Sequence, residues 1–289
     1  MTEFIVTLAQ TAPELGHIQR NLAQHLDILA QAAQEGADLV VFPELSLTGY
    51  YVRDLMAELA CKPTADDPVF GQLLERSRQL AIDAVVGFIE EDQRGRFFIS
   101  AAYISRGEVL HVHRKVYLPT YTMFDDGRYF AAGDSARAFD TPLGRVGLLI
   151  CEDYWHVALP YVLWMDGADL FIFINASPGR GVGPEPRAAS LRWIETVSRA
   201  YGGIFTNLVV NCNRAGFEDG IAFGGGSNII GPDGEVVARC PDFEPAVQHQ
   251  HIDLNDLRRT RARLPLLRDE RPDITLRELT RVLRASDDR

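Results

Sequence analysis

One signal occurs twice in this chain. Gly36-Ala-Asp-Leu-Val-Val-Phe-Pro-Glu44 and Gly167-Ala-Asp-Leu-Phe-Ile-Phe-Ile174-Asn175 each end a helical pattern in Gly-Ala-Asp and run straight into a continuous apolar stretch. Glycine just past a helix relieves the left-handed turn that ends it. A short apolar run with no polar alternation reads as a strand covered on both faces. The echo points to two similar halves packed together; a shared local solution to the helix-to-strand turn would produce it too. Upstream of the first copy, Phe4 to Ala9 reads as a strand and Ile18 to Gln34 as a helix with Leu22, Leu26, Leu29 and Ala33 on one face. Upstream of the second, Val146 to Ile150 reads as a strand after a Pro142/Gly144 turn. Asp153 reads as the N-cap of a helix running to about Asp166.

The remaining pattern predicts a helix over Val69–Ala81 and strands at Ala84–Glu90, Phe97–Ser105 and Val109–His113, then a long aromatic loop over residues 114–135. A helix over Pro186–Tyr201 follows, with strands at Ile204–Val210, Ala222–Ile230, Val236–Cys240 and Val247–Ile252. Strands and helices alternating in this way predict an α/β layered fold with helix-covered sheets. The Arg-rich tail from Leu254 carries two short helical patterns that pack on the core or on a partner subunit.

Composition excludes several classes of function. With 46% apolar and 24% charged residues, the 289-residue chain can bury a core without disulfides or metals. A net charge of −11 and the lack of a basic run argue against nucleic-acid and anionic-membrane partners. No apolar run reaches the ~18 residues of a membrane span. The start lacks the basic region of a secretory signal, and Cys61, Cys151, Cys212 and Cys240 form no C-x-x-C pair; together these predict a reducing cytoplasm. Lys62 and Lys115 are the only lysines in an arginine-dominated chain. A compact ammonium that survives such a bias can hold a place guanidinium does not fit.

Three groups sit where catalytic side chains of α/β folds gather: Glu44 after a strand, Lys115 at the head of the long loop, and Cys151 at a strand-to-helix turn. A thiolate attacking an amide or nitrile carbon needs a base, for which Glu44 is suited, and positive charge for the oxyanion, which Lys115 supplies with a backbone N–H near Glu152. Turn N–H groups also lower a thiol pKa. Taken singly, Cys151 also reads as a buried structural cysteine, Glu44 as a solvated loop carboxylate and Lys115 as a surface charge. His111-x-His113 and His249-x-His251 read as strand-surface histidines, and no metal or cofactor is expected.

Phe42-Pro43-Glu44-Leu45…Thr48-Gly49-Tyr50, Arg114-Lys115-Val-Tyr-Leu-Pro119 and Leu149-Ile150-Cys151-Glu152-Asp153 resemble, in order and spacing, the three catalytic motifs of the nitrilase-like carbon–nitrogen hydrolase family. The resemblance implies a four-layer α-β-β-α sandwich, one hydrolase domain over residues 1–289 with 254–289 as an extension, and homo-oligomers. It also implies acyl-enzyme chemistry with Glu44 as base, Lys115 as stabilising cation and Cys151 as nucleophile. Leu118-Pro-Thr-Tyr121…Phe124-Asp-Asp126, Cys151-Glu-Asp-Tyr-Trp155 and Asn175-Ala-Ser-Pro178 are most similar to the glutaminase domain of glutamine-dependent NAD synthetases. That likeness makes Tyr121, Asp126, Glu152, Tyr154, Trp155 and Ser177 candidate substrate contacts. Core packing competes for Tyr154 and Trp155, and for the pocket walls Phe124 and Tyr129; orienting Lys115 competes for Glu152.

Two positions depart from the pattern. Asp126 stands where many members carry a second glutamate, one methylene longer. After Ser177-Pro178 the family is expected to continue to a glycine followed by a basic residue; here the stretch reads Gly179-Arg-Gly-Val-Gly-Pro-Glu-Pro186, with Pro184 after Gly183, leaving Arg180 or Arg187 to meet a substrate carboxylate. No phosphate-loop motif follows, so ammonia would go either to solvent or to a separate synthetase. The expected activity is amide hydrolysis, including ω-amides such as glutamine; the alternatives are a nitrilase and a non-catalytic module on the same fold.

Overall fold

The computed structural model describes residues 3–181 and 187–287. In chain order it contains β1 (Glu3–Gln10), α1 (Ile18–Gln34), β2 (Leu39–Val41), α2 (Met56–Leu59), α3 (Phe70–Leu80), β3 (Asp83–Glu91), β4 (Phe97–Ser105), β5 (Glu108–Arg114) and α4 (Asp126–Tyr129). The second half holds β6 (Phe139–Thr141), β7 (Gly144–Ile150), α5 (Ala158–Met165), β8 (Leu170–Asn175), α6 (Ala189–Phe205), β9 (Leu208–Asn213), β10 (Ala215–Glu218), β11 (Ile221–Gly224), β12 (Asn228–Ile230) and β13 (Val236–Arg239). The chain closes with β14 (Ala246–Asp253), α7 (Asn255–Arg263), α8 (Leu266–Asp269) and α9 (Pro272–Asp287).

Two six-stranded sheets form, ordered β14-β1-β2-β3-β4-β5 and β13-β12-β9-β8-β7-β6. Each has three adjacent parallel strands at its centre, β1-β2-β3 and β7-β8-β9, flanked by antiparallel ones. The Gly-Ala-Asp echo opens the middle strand of each triplet, so the halves correspond in topology as well as in the local turn. The turns themselves also match. Gly36 and Gly167 have φ of +75° and +86°. Ala37 N–H donates to Ala32 O as Ala168 N–H does to Leu163 O, and the Asp38 and Asp169 amides reach back to Ile5 O and Arg145 O on the preceding strand. This is a Schellman-type cap that hands the chain from helix to sheet.

Three apolar clusters define four layers. Val6, Val41, Val85, Leu148, Ile172 and Val210 meet between the sheets. Leu29, Phe70, Leu73 and Phe88 fill the space between the first sheet and α1/α3. Leu149, Trp164, Phe171, Phe173 and Phe205 do the same for the second sheet and α5/α6. The expected α-β-β-α sandwich is the fold observed. Among the described residues no helix is long and apolar enough to cross a membrane.

Several sequence expectations need correcting. Asp153 caps no α-helix: residues Cys151–Trp155 form a 3-10 turn, and α5 starts later, at Ala158. Ile204 belongs to the last turn of α6, not to a strand. That helix begins at Ala189; Pro186, the expected start, lies outside the described residues. The strand expected over Ala222–Ile230 is broken into β11 and β12, because Gly225 and Gly226 adopt φ of +59° and +67°. The tail forms three helices rather than two. Of these, α7 lies on the core through buried Leu257 and through Arg261, whose guanidinium donates to Asp169 Oδ1 at 2.5 Å and Asn207 Oδ1 at 2.6 Å.

Candidate active site

Glu44 follows β2 in a turn that lies directly over β3. A Cβ on Gly87 would stand 2.3 Å from Pro43 O and 2.9 Å from Glu44 Cα, so this strand position has to lack a side chain for the turn to sit where it does. Phe42 N–H donates to Val85 O, Leu45 takes φ of +50°, and Ser46 Oγ is held by buried His25 at 2.9 Å. Burial pulls the His25 pKa down to about 4, so this support is neutral at pH 7.

Lys115 leaves β5 with its amide on Ile99 O and its carbonyl under Gly133 N–H. Its side chain is fully buried, and Nζ donates to Glu44 Oε1 at 2.6 Å and Asp126 Oδ2 at 2.8 Å. Asp126 is fixed in turn by Tyr50 Oη, which donates to Oδ1 at 2.7 Å, and by its own amide on Pro119 O. Despite the missing methylene, Asp126 reaches the lysine. The other Glu44 oxygen accepts the Ala176 amide at 2.8 Å, which ties the Glu44 turn to the end of β8.

Cys151 directly follows β7 with φ of +48°, a left-handed conformation that a residue with a Cβ adopts at a cost. The strand-to-turn switch aims Sγ at Ser177 Oγ, 3.9 Å away. Ser177 is itself held by Asn213 Oδ1, which accepts its amide at 2.8 Å.

Electrostatics sort these groups. Burial, and then the nearby Glu44 carboxylate, push the Cys151 thiol well above its ordinary range; Lys115 only partly offsets them. The expectation that turn amides lower this pKa does not hold, because the sulfur is enclosed beside two carboxylates. It rests as a thiol and needs a base. Burial also raises Glu44, against the opposing pull of Lys115, so the carboxylate is more basic than an exposed glutamate. Burial alone would depress Lys115, but Asp126 and Glu44 outweigh it and hold the ammonium well above its usual value. A fixed cation, a strengthened base and a protonated thiol in one enclosed space are the components of base-assisted thiol addition to an electrophilic carbon.

The other predicted contacts divide. Tyr121 Oη donates to Glu152 Oε2 at 2.8 Å, and His156 Nε2 lies 3.6 Å from Glu152 Oε1, so Glu152 is engaged by these groups and the carboxylates bonded to Lys115 are Glu44 and Asp126. Phe124 sets its edge against Tyr50 and Tyr121. Tyr129 lines a cleft of about 390 Å³ together with Tyr50, Tyr51 and Asp126. Trp155 is 40% exposed and leans on Trp193 of α6. Tyr154 is fully buried and stacked on Phe173 in the helix-sheet core, the packing role that competed with substrate contact. Arg187 is committed to Asp242 and Glu195. Arg180 donates to Thr122 Oγ1 at 3.1 Å and lies over the Phe124 ring.

The sequence reading missed the supporting shell. His113 is not on the strand surface; it is buried with Nε2 2.8 Å from Asp153 Oδ2. Tyr50 stood inside a quoted motif without a role. Glu218, paired with buried Arg214 at 2.6 Å, accepts the Tyr50 and Tyr51 amides at 2.8 Å each and had no local signal at all. Among the described residues no cluster of three His, Cys, Asp or Glu is arranged to hold a metal.

A sequence model of the carbon–nitrogen hydrolases matches residues 5–262. The chain belongs to the carbon–nitrogen hydrolase family. This hydrolase is 31% identical over 258 residues to the glutamine-dependent NAD(+) synthetase of Acinetobacter baylyi, a match covering 89% of this chain and 46% of the synthetase. It is 27% identical over 273 residues to the N-carbamoylputrescine amidase of Arabidopsis thaliana, covering 89% of both chains. The solved structure of the glutamine-dependent NAD+ synthetase from Acinetobacter baumannii superposes with a TM-score of 0.77 at 28% identity, over 88% of this chain and 46% of that one. The hydrolase therefore spans about half the length of the NAD synthetases it matches.

Proposed function

We propose that this hydrolase cleaves the terminal amide of a small zwitterionic substrate such as glutamine, through a thioester on Cys151. The observation that carries the reading is the buried Lys115 ammonium held between Glu44 and Asp126 at 2.6 and 2.8 Å, on the same end of the sheets as the Cys151 thiol. Glu44 takes the thiol proton as Sγ bonds to the amide carbon. The carbonyl oxygen becomes an oxyanion between Lys115 Nζ and a backbone N–H of the turn after Cys151. Collapse breaks the C–N bond, and Glu44 passes its proton to the nitrogen, which leaves as ammonia. Water, deprotonated by Glu44, then attacks the thioester; the acid departs and Cys151 recovers its proton.

Arg180 favours an anionic group on the substrate. Its guanidinium makes no ion pair among the described residues and sits over Phe124, whose ring meets Tyr121, the residue bonded to Glu152. A cation and a carboxylate at one mouth match an α-carboxylate and an α-ammonium, and the cation opposes a polyamine. Arg180→Ala is expected to raise KM for glutamine by about tenfold while leaving kcat within twofold, as for loss of one charge-assisted contact; steady-state kinetics reads this directly. Of the expected Gly179–Pro186 departure, residues 182–186 lie outside the described residues.

The test of the activity is ammonia release from L-glutamine, N-carbamoylputrescine, simple ω-amides and nitriles by wild type and Cys151→Ala. Turnover of nitriles alone replaces the amidase reading with the nitrilase one; no turnover of anything, with Cys151 still labelled by electrophiles, leaves a non-catalytic module. If glutamine is hydrolysed, a synthetase is the class of enzyme that would accept the ammonia. We also propose self-association through α9, where Leu276, Leu279 and Val282 are 69%, 55% and 52% exposed along one helix. Light scattering is expected to give at least a dimer, and a monomer at micromolar concentration removes the idea. The four unpaired, buried cysteines support a cytoplasmic setting.

The pH profile carries a further expectation. Glu44 must be ionised to act, and burial followed by Asp126 lifts its pKa above the ordinary 4.5, so the acid limb of kcat/KM should fall above the normal glutamate range. Asp126→Asn removes one of the raising charges and leaves Lys115 to Glu44 alone, so the limb should move to lower pH even as kcat falls. A limb that stays in place or moves up assigns the titration to another group.

A further inference from the structure

Asp153 stands two residues after Cys151, and its carboxylate is fully buried. Oδ1 accepts the amides of Val116 and Tyr117, both at 2.9 Å. Oδ2 accepts the Ile150 amide at 3.2 Å and lies 2.8 Å from His113 Nε2. These donors flank the two reacting groups: His113, Val116 and Tyr117 bracket Lys115, and Ile150 precedes Cys151. Lys115 follows the edge strand of one sheet and Cys151 follows a strand of the other; the side-chain bonds of Lys115 go to Glu44 and Asp126, and that of Cys151 to Ser177. One carboxylate therefore bridges both backbones across the sandwich.

We propose that Asp153 is a positioning residue that sets the register between the Lys115 ammonium and the Cys151 sulfur, with His113 as its brace. The inference rests on the triad reading above. An ionised carboxylate suits the task because it only accepts, so four donors can converge on it with charge-assisted strength. Asparagine is nearly the same size but presents an NH2 where Oδ2 stood. Its remaining oxygen still serves Val116 and Tyr117, while the Ile150 amide faces another donor. D153N thus keeps the lysine turn anchored and frees the cysteine turn. A shift of the sulfur by a fraction of an ångström to an ångström is enough to cost up to about a hundredfold in rate.

The experiment compares wild type and D153N in amide turnover, in the pH dependence of Cys151 alkylation by iodoacetamide, and in thermal unfolding. The expected result is a kcat lower by about tenfold to a hundredfold, KM within threefold, and an alkylation profile displaced along the pH axis in a folded protein. A folded D153N with wild-type kcat and an unmoved alkylation profile overturns the proposal, as does a lowered melting temperature with that profile unmoved. Should D153N fail to fold, H113L and H113Q serve. Glutamine can still donate to Oδ2, so H113Q should recover most of the activity H113L loses, and equal activities overturn the brace. In wild type, amide exchange at Val116, Tyr117 and Ile150 should be slow, and fast exchange at these three sites also sinks the clamp. Turnover surviving in Cys151→Ala would instead defeat the triad reading, a failure separate from any of these.

Discussion

Replacing Cys151 by alanine is expected to lower turnover by on the order of 10⁵-fold or more while the fold persists, the scale seen when a covalent nucleophile is deleted. The neighbouring Ser177 hydroxyl does not take its place: it lies 3.9 Å from the sulfur, and its oxygen is a far weaker nucleophile without a base bonded to it. The structural cost should stay near 1 kcal/mol, because alanine keeps the Cβ, occupies the same left-handed φ with no new clash, and deletes one buried atom. Mass spectrometry should find an acyl adduct on wild type with a slow substrate and none on the variant. Near wild-type ammonia release by the variant removes the thioester mechanism altogether.

Lys115→Arg is expected to be almost as damaging, at about 10³-fold or more in kcat, the loss associated with removing an oxyanion donor plus displacement of its neighbours. The charge is retained, so the effect isolates shape. Nζ is a point donor shared between Glu44 and Asp126 inside a fully enclosed site, with a third direction left for the oxyanion. Guanidinium is planar, bonds one carboxylate side-on, and adds volume at a position already fully buried, at an overpacking cost of about 1–3 kcal/mol. Truncation to alanine or methionine is the poorer test. It leaves two buried carboxylates without their cation, a penalty of about 3–5 kcal/mol that unfolds the site before it reports on catalysis. Retention of more than a tenth of wild-type kcat by a folded Lys115→Arg would take the oxyanion role away from this residue.

What could be read from sequence was local. The span of α1, Ile18–Gln34, follows from apolar spacing and the glycine beyond it, and the two Gly-Ala-Asp turns announce matching helix-to-strand caps because each is closed by bonds within a few residues and by the strand just before it. The positions of Glu44, Lys115 and Cys151 at element ends came from the same local grammar, sharpened by three motifs in order. Elements whose boundaries depend on distant packing were misjudged. Ile204 has a strand former's side chain but lies in α6, where tertiary contacts outweigh propensity.

The sequence alone therefore determined the layered α/β class, the family and the three principal residues of the candidate site, since periodicity, caps and motif order are properties of short stretches. Tertiary structure decided everything that depends on approach and enclosure. Lys115 meets Glu44 from 71 positions away, Asp153 bonds the Val116 and Tyr117 amides from 37 and 36 positions away, and Asp126 makes good its shorter reach because Tyr50 and Pro119 hold it in place. Tyr154 turned inward while Tyr121 stayed at the surface, although both were read as contacts. The thiol pKa rises where the turn by itself would lower it, because desolvation and neighbouring charge are fixed only when the two sheets close over the sulfur.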